Sequence, residues 1–514
     1  MKFYLTTPIY YVNDNPHIGH AYTTIAADVL ARWKRLNGES VYFLTGTDEH
    51  GAKICQAAAA NNTTPQALCD MTSANFKNAW TALNISNDGF IRTTEAKHFK
   101  GVQKLLQILF DKGLIYKKNY EGLYCVGCEK FIVEKDLDEN GCCPDHKTKP
   151  SLHSEENYFF KLSSFESTLI EKISNGTLII EPEGRRNEIL GKLKLGLEDI
   201  SISRSGLAWG IPLPFDNTQT AYVWVDALIN YISAIGYGSE NETEFEKFWP
   251  ADVHLMAKDI LWFHSVIWPA LLMGAGLPLP KKVYAHGFFT INGDKMSKTI
   301  GNVISPAELI EKFGVDQARY LLVSLIPFGP DGDISWAALT QKYNLDLANN
   351  LGNLVSRTIK MAEKYFAGVA PEPKNMALEL TSKVTALLKE QSFCENLNNL
   401  LFHKAAESAQ NALTVINQQI ETDAPWKLAK DESPEGKEKL AQCMYDYFQA
   451  IALTILHFVP FMPDTCEKIW QSIGGAEGTL YKKTENYFKE GITPLIEKGA
   501  PLKLEGILFP RMEC

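Results

Sequence analysis

The chain contains no run of about 18 consecutive apolar residues, so no membrane-spanning helix is expected. Its opening residues, MKFYLTTPIYYV, lack the basic start, apolar core and small-residue cleavage site of an export signal, and read as a first strand. An excess of positive charge is missing too. Lys and Arg total 51 against 61 Asp and Glu, a net charge of −10, which removes the argument for a basic DNA-binding module. An acidic enzyme can still carry a local basic path. No internal repeat or low-complexity tract occurs.

What is present is globular in composition. Apolar residues make up 45% and charged residues 22%, and a length of 514 residues predicts three or so domains. The expected location is the cytoplasm, where the ten cysteines stay mostly reduced. Cys55, Cys69, Cys394, Cys443, Cys466 and Cys514 are scattered and are expected to be plain buried thiols.

The N-terminal segment reads as strand, helix, strand. Residues 3–12, FYLTTPIYYV, are β-branched and aromatic, and NDNP then breaks the run. From His17 onward Ile18, Tyr22, Ile25, Val29, Trp33 and Leu36 recur at helical spacing. Lys34 and Arg35 fall in the last turn, and Asn37-Gly38 supplies a stop. SVYFLTGTDEHG follows as a second strand, completing a parallel βαβ unit. In such a unit the loop after the first strand binds ligands beside unpaired N–H groups at the helix start. His17 and His20 occupy that loop one turn apart, and Gly19 leaves room for a phosphate or adenine to approach. By itself the pattern suits a phosphate cradle, half of a metal site, or two polar residues of no special role.

Two further clusters carry chemistry. In HGFFTINGDKMSKTIGN, Lys295 and Lys298 flank Met296-Ser297 between Gly293 and Gly301, a solvated pair or a clamp for a polyphosphate. In YCVGCEKFIVEKDLDENGCCPDHK, Cys125 and Cys128 form one knuckle, and Cys143 and His146 form another. Four such ligands in two short pairs match a closed tetrahedral Zn²⁺ site, one per chain and structural, since no position is left open for catalysis. Cys142 could replace Cys143.

The pair PHIGH and KMSKT resembles the two signature motifs of class I aminoacyl-tRNA synthetases. TPIYYVNDNPHIGHAYT, FLTGTDEHG, AYVWVDALINYI, KDILWFHSVIWPALL and HGFFTINGDKMSKT together resemble the methionyl-tRNA synthetases of the single-knuckle bacterial type. The resemblance runs from residue 2 into the C-terminal helices. Thr299 stands where Ser is common, and Ala257 where relatives often have Gly. The implied fold is a Rossmann-like parallel-sheet α/β catalytic domain with a zinc-binding insertion, followed by an all-α bundle that binds the anticodon. The expected boundaries are 1–114 and 226–285 for the catalytic halves, 115–225 for the insertion, 286–345 for the KMSKT region and 346–514 for the bundle.

The resemblance implies a two-step reaction: methionine and ATP give methionyl-adenylate and pyrophosphate, then the acyl group passes to tRNA(Met). The partners are thus ATP, L-methionine and tRNA(Met), with no DNA or membrane, and Mg²⁺ accompanies ATP. His17, His20, Lys295 and Lys298 are the expected catalytic residues, and Gly19, His286 and Gly287 complete the ATP site. Ile9, Tyr11, Trp224, Ala227, Leu228, Tyr231, Ile260, His264 and Trp268 are expected around the methionine side chain, with Asp48 against its ammonium. A thioether is polarisable and packs well on aromatics. Asn353, Arg357 and Trp426 are the expected anticodon contacts, through base edges and stacking. The resemblance also implies a monomer, because the chain stops at Cys514 without the dimerisation module that some relatives carry. The rival readings are a sister class I synthetase for another apolar or thiol amino acid, a small-molecule nucleotidyltransferase, and a non-catalytic tRNA-binding paralogue.

Overall fold

In the computed structural model of the chain, the described residues are 1–125, 130–132, 134, 137–144, 147–291, 293–296, 303–491 and 494–513. The centre is a six-stranded parallel sheet. Its strands in chain order are β1 (Lys2–Tyr11), β2 (Ser40–Asp48), β3 (Gly89–Arg92), β4 (Ile179–Glu181), β5 (Val253–Ala257) and β6 (Lys282–His286). In space they run β3-β2-β1-β5-β6-β4. The order reverses between β1 and β5, so the carboxyl ends of these two strands open a crevice, the usual ligand position in such sheets.

Alternating residues of each strand face two different cores. Leu5, Phe43, Leu255 and Tyr284 point to one, while Tyr4, Leu44, Met256 and Val283 point to the other. Burial on both faces explains the nearly continuous apolar runs of these strands. Strand β4 departs from the expected boundaries. It lies within the segment assigned wholly to the insertion, yet it pairs with β6 at the sheet edge. A three-residue strand is too short to show a period in the sequence. The other described strands of that segment pair antiparallel, chiefly Ile115–Cys125 against Ser151–Phe160.

The first helix, α1 (Ile18–Leu36), ends as expected at Asn37 with Lys34 and Arg35 in its last turn. It is not amphipathic in place, because Ala26, Ala27, Asp28 and Ala31 on its other faces are buried as well. The chain continues through α2 (Ala96–Asp111), α3 (Val223–Leu228), α4 (Val315–Ser324), α5 (Asn353–Phe366), α6 (Phe402–Asp423), α7 (Pro434–Phe458) and α8 (Pro463–Ser472). Trp33 of α1 meets Phe393 and Phe488 edge-on, with ring centroids 6.0 and 4.8 Å away, so the helical third shares a core with the first helix. Among the described residues no helix is long and apolar enough to cross a membrane. Cys394 is exposed, and Cys55 and Cys443 are half-buried, unlike the buried thiols expected.

One buried charge cluster ties these parts together. Asp28 of α1 accepts from Arg32 Nε at 2.7 Å and from the backbone and hydroxyl of Ser86 at 2.6 Å each. Arg319 of α4 lies 2.7 Å from the same carboxylate. Its remaining donors reach the carbonyls of Leu83, Pro460 and Phe461 at 3.1–3.2 Å. Burial would raise the Asp28 pKa, but Arg319, Arg32 and Ser86 overcome it and hold it at about 2. Removing one partner of such a pair leaves an uncompensated buried charge. Arg319→Leu should therefore lower unfolding free energy by about 3–5 kcal/mol in urea titration, and a loss below about 1 kcal/mol would contradict this role.

Candidate active site

A single open cavity of about 1120 Å³ lies at the carboxyl ends of β1, β2, β5 and β6, and the start of α1 forms part of its wall. His17 is the N-cap of α1, with extended backbone. Its Nδ1 accepts the Gly19 N–H at 3.0 Å, and the His20 Nδ1 accepts the His17 N–H at 3.3 Å. Two imidazoles thus form a capping box in which Ser or Thr and Glu usually serve. The Ile18 N–H donates to the Ile304 carbonyl at 3.0 Å. The expected row of unpaired N–H groups is therefore capped by the protein itself. What replaces it is a pair of ring donors, because a neutral imidazole accepting at Nδ1 carries its proton on Nε2.

The rings stack 3.8 Å apart at 21°, and Tyr10 and Phe76 contact His20 from the side. Burial, followed by the neighbouring His17, pushes the His20 pKa well below its ordinary value, so the ring is neutral at pH 7. Gly19 has a local reason. It lines the cavity, and a Cβ there would stand 2.9 Å from His17 Cε1, so a side chain would displace the His17 ring.

His286 closes β6 and faces the cavity, but both its nitrogens are committed. Nδ1–H donates to the Gly287 carbonyl at 2.7 Å, and Nε2 accepts from the Thr23 hydroxyl at 2.6 Å. Burial lowers its pKa to about 4. It fastens β6 to α1. Gly287 is required because a Cβ would come within 2.4 Å of the Pro330 and Asp331 backbone.

The other half of the cavity is aromatic and apolar. Ile9, Tyr11, Trp224, Ala227, Leu228, Tyr231, Ile260 and His264 line it, and Asp48 stands at the tip of β2. Trp224 stacks on Phe263 at 4.1 Å and 13°. The Tyr231 hydroxyl donates to His264 Nε2 at 2.7 Å, and His264 Nδ1–H donates to the Ile260 carbonyl at 2.9 Å. His264 sits on a π-helical stretch, Phe263–Ile267, a geometry common at functional sites. Trp268 is corrected. It does not line the cavity but lies fully buried behind it, 6.1 Å from Tyr231. Among the lining residues that the sequence reading did not assign are Lys53, Asn230, Asp259 and Phe263. Asp259 and Phe263 lie inside the quoted KDILWFHSVIW stretch, and their charge and size were the available signals.

The family model described as tRNA synthetases class I (M) matches residues 3–149 and 133–359. The chain belongs to this family. It is 45% identical over 521 residues to the methionine–tRNA ligase of Caldanaerobacter subterraneus subsp. tengcongensis, covering 99% of this chain and 79% of that protein. It is 44% identical to the Streptomyces coelicolor methionine–tRNA ligase, covering 99% and 97%. The structure of Mycobacterium tuberculosis methionyl-tRNA synthetase in complex with methionyl-adenylate superposes with a TM-score of 0.93 at 38% identity, covering 99% of this chain and 100% of that one.

Within this class I synthetase the second lysine motif reaches the first. Asp294–Lys295 pairs antiparallel with Phe289–Ile291, and Met296 lines the cavity, its Cε 3.6 Å from where a Gly19 Cβ would lie. Lys298 and Thr299 lie outside the described residues, and of Lys295 only the backbone is described. Val303 and Ser305 are again on the cavity wall.

Of the zinc candidates, Cys128 and His146 lie outside the described residues. Cys125 and Cys143 are each 1% exposed and share one small cluster with Ile132. Cys142 is more exposed, and its Sγ stands 3.8 Å from the Asn140 carbonyl. Among the described residues no group of three or more metal-binding side chains occurs. In the helical third, Asn353 is exposed at the start of α5, and Trp426 is 40% exposed on the turn Pro425–Leu428. Arg357 is not an unengaged surface cation. It pairs with Glu421 of α6 at 2.6 Å and donates to the Asn417 carbonyl at 3.1 Å.

Three buried imidazoles, His264, His286 and His457, have pKa values lowered to about 4 by burial. The unfolded chain takes up their protons near pH 6.5 and the folded chain does not, so their stabilisation is full above that value and is lost as pH falls toward 4. Each should account for about 2 kcal/mol at pH 5. The urea midpoint should fall steadily from pH 7 to pH 5, with a shallower fall in His457→Gln; a pH-independent midpoint would contradict this.

Proposed function

We propose that this chain is a methionine–tRNA ligase. It joins methionine to ATP as methionyl-adenylate, releasing pyrophosphate, and then transfers the methionyl group to the terminal adenosine of tRNA(Met) in the cytoplasm. The observation that carries this reading is that one cavity unites an imidazole-capped helix start, a strand-tip carboxylate and an aromatic apolar recess. The close relatives named methionine–tRNA ligase support it.

The chemistry follows from the side chains. In the first step a carboxylate oxygen of methionine attacks the α-phosphorus, and the bond to the β-phosphate oxygen breaks. Such displacements need positioning and charge stabilisation rather than a protein nucleophile. His17 and His20, with Nδ1 engaged by backbone, donate from Nε2 to phosphate oxygens as negative charge builds there. Being neutral, His20 keeps its donor role without an ionisation step. Lys295 and Lys298 hold the departing β- and γ-phosphates, and Mg²⁺ arrives with ATP. Gly293, at φ +85, provides the turn that aims this segment back at α1.

Asp48 balances the substrate ammonium and leaves the substrate carboxylate available to attack. Tyr11, Trp224, Tyr231 and neutral His264 surround the thioether, where sulfur–aromatic contacts add about 0.3–1.5 kcal/mol each. Trp268 acts by supporting Tyr231 from behind. In the second step AMP leaves as the tRNA hydroxyl takes the acyl group.

Cys125, Cys128, Cys143 and His146 would hold one structural Zn²⁺, whose thiolate and imidazole ligands would fasten the two knuckles. The buried Cys125 and Cys143 support this, as does the size of their apolar cluster, too small to fold the excursion unaided. Asn353 and Trp426 meet anticodon bases by edge and stacking contacts, with Arg357 oriented by Glu421. The domain limits proposed are those expected from the sequence, with β4 counted in the catalytic sheet.

Amino-acid-dependent ATP–pyrophosphate exchange, run with each of the twenty amino acids, tests the reading. Exchange should be driven by methionine. Exchange with a different amino acid would move the pocket to a sister enzyme, and no exchange would overturn the proposal.

A further inference from the structure

Two of the segments that line the amino-acid recess are distant in sequence. One is the tip of β2 with Asp48; the other is α3, which carries Trp224, Ala227 and Leu228. The pairing of β2 ends at Asp48, which stands opposite Tyr11 and whose carbonyl accepts the Val12 N–H at 3.2 Å. The helix α3 has six residues, and the chain leaves β2 through Gly51 at φ +108. Glu49 fixes part of the tip, fully buried with Arg92 Nε at 2.7 Å and Thr94 Oγ1 at 2.6 Å. These bonds anchor it toward β3, on the side away from α3.

The link to α3 is a carboxylate that faces no solvent. Asp226 sits between Trp224 and Ala227 and is 0% exposed. It accepts from His50 Nδ1 at 2.7 Å and from His98 Nε2 at 2.6 Å, and His98 Nδ1 accepts from the Ser233 hydroxyl at 2.7 Å. A carboxylate only accepts, which fixes both imidazole nitrogens facing it as donors. His50 is two residues from Asp48, and His98 belongs to α2, which packs closely under Ser233 at Gly101, where a Cβ would stand 2.7 Å from the Ser233 Cβ. Neither Asp226 nor the two histidines line the cavity.

We infer that Asp226 is a positioning residue for the amino acid: gripped by His50 and His98, its carboxylate sets the separation between Asp48 and the aromatic wall of α3. The grip on the ammonium and the grip on the thioether are thereby coupled through one buried group. This rests on the methionine reading above. An isosteric amide breaks the coupling, since it presents an N–H to one of two imidazole N–H groups.

The test compares binding of L-methionine with binding of its des-amino analogue, 4-(methylsulfanyl)butanoate, by quenching of tryptophan fluorescence. The KM for ATP in exchange is followed in parallel. The wild type should prefer methionine, and if it does not, the ammonium contact at Asp48 fails and the reading beneath this inference fails with it. Given that preference, Asp226→Asn should weaken methionine about 10- to 50-fold, the loss of one charge-assisted contact. The analogue should weaken less than about 3-fold and the KM for ATP change less than about 2-fold, because neither uses the coupling. His98→Asn, which keeps Asp226 and His50, should act in the same direction more weakly, and it decides the matter where Asp226→Asn does not fold. Equal weakening of both ligands, or no change in either, with the wild-type preference intact, would overturn the inference.

Discussion

The reaction centre depends on how the first helix begins. Two backbone N–H groups at the start of α1 are capped by imidazole nitrogens rather than by the oxygen acceptors common at such positions. That choice fixes the tautomer of both rings, and the tautomer fixes what they can do. A carboxylate cap would present only acceptors to a polyphosphate. Imidazoles accepting at Nδ1 present donors at Nε2 instead, so the groups that cap the helix are also those that would receive the charge in the proposed reaction.

Holding those rings in place requires the rest of the chain. The helix α1 is enclosed by the sheet on one side and by later helices on the other, and Asp28 with Arg319 fixes that contact from inside. His286 and Thr23 tie the far side of the sheet to the same helix. The helical third therefore shares a core with the helix that opens the cavity. The amino-acid recess has its own internal tie in Asp226.

Much of this was legible in the sequence where a motif dictates backbone. The strand, the breaker NDNP, the helix limits at Ile18 and Leu36, and the cavity positions of Tyr11, Asp48, Trp224 and His264 all follow from local pattern and family resemblance. What was not legible depends on contacts between distant segments. Asp28 and Arg319 lie far apart in the chain, and no local pattern pairs them. Trp268 has the spacing of its neighbours, and only packing decides that it stands behind Tyr231. Strand β4 is too short to announce itself, and Arg357 acquires its partner from a helix far along the chain. The capping role of the histidines was hidden for another reason: His17 and His20 were read as ligands, and their Nδ1 atoms serve the backbone first.

The account is tested most directly by the protonation of His20. In the free protein labelled with ¹⁵N-histidine, with the resonance assigned by its loss in His20→Gln, the imidazole shifts report tautomer and charge together. The prediction is a neutral ring with its proton on Nε2 that persists down to pH 6. An imidazolium at pH 6, or a proton on Nδ1, would contradict it, because in either case the ring could not accept the His17 N–H that caps α1, and the Nδ1 tautomer would present no donor at Nε2.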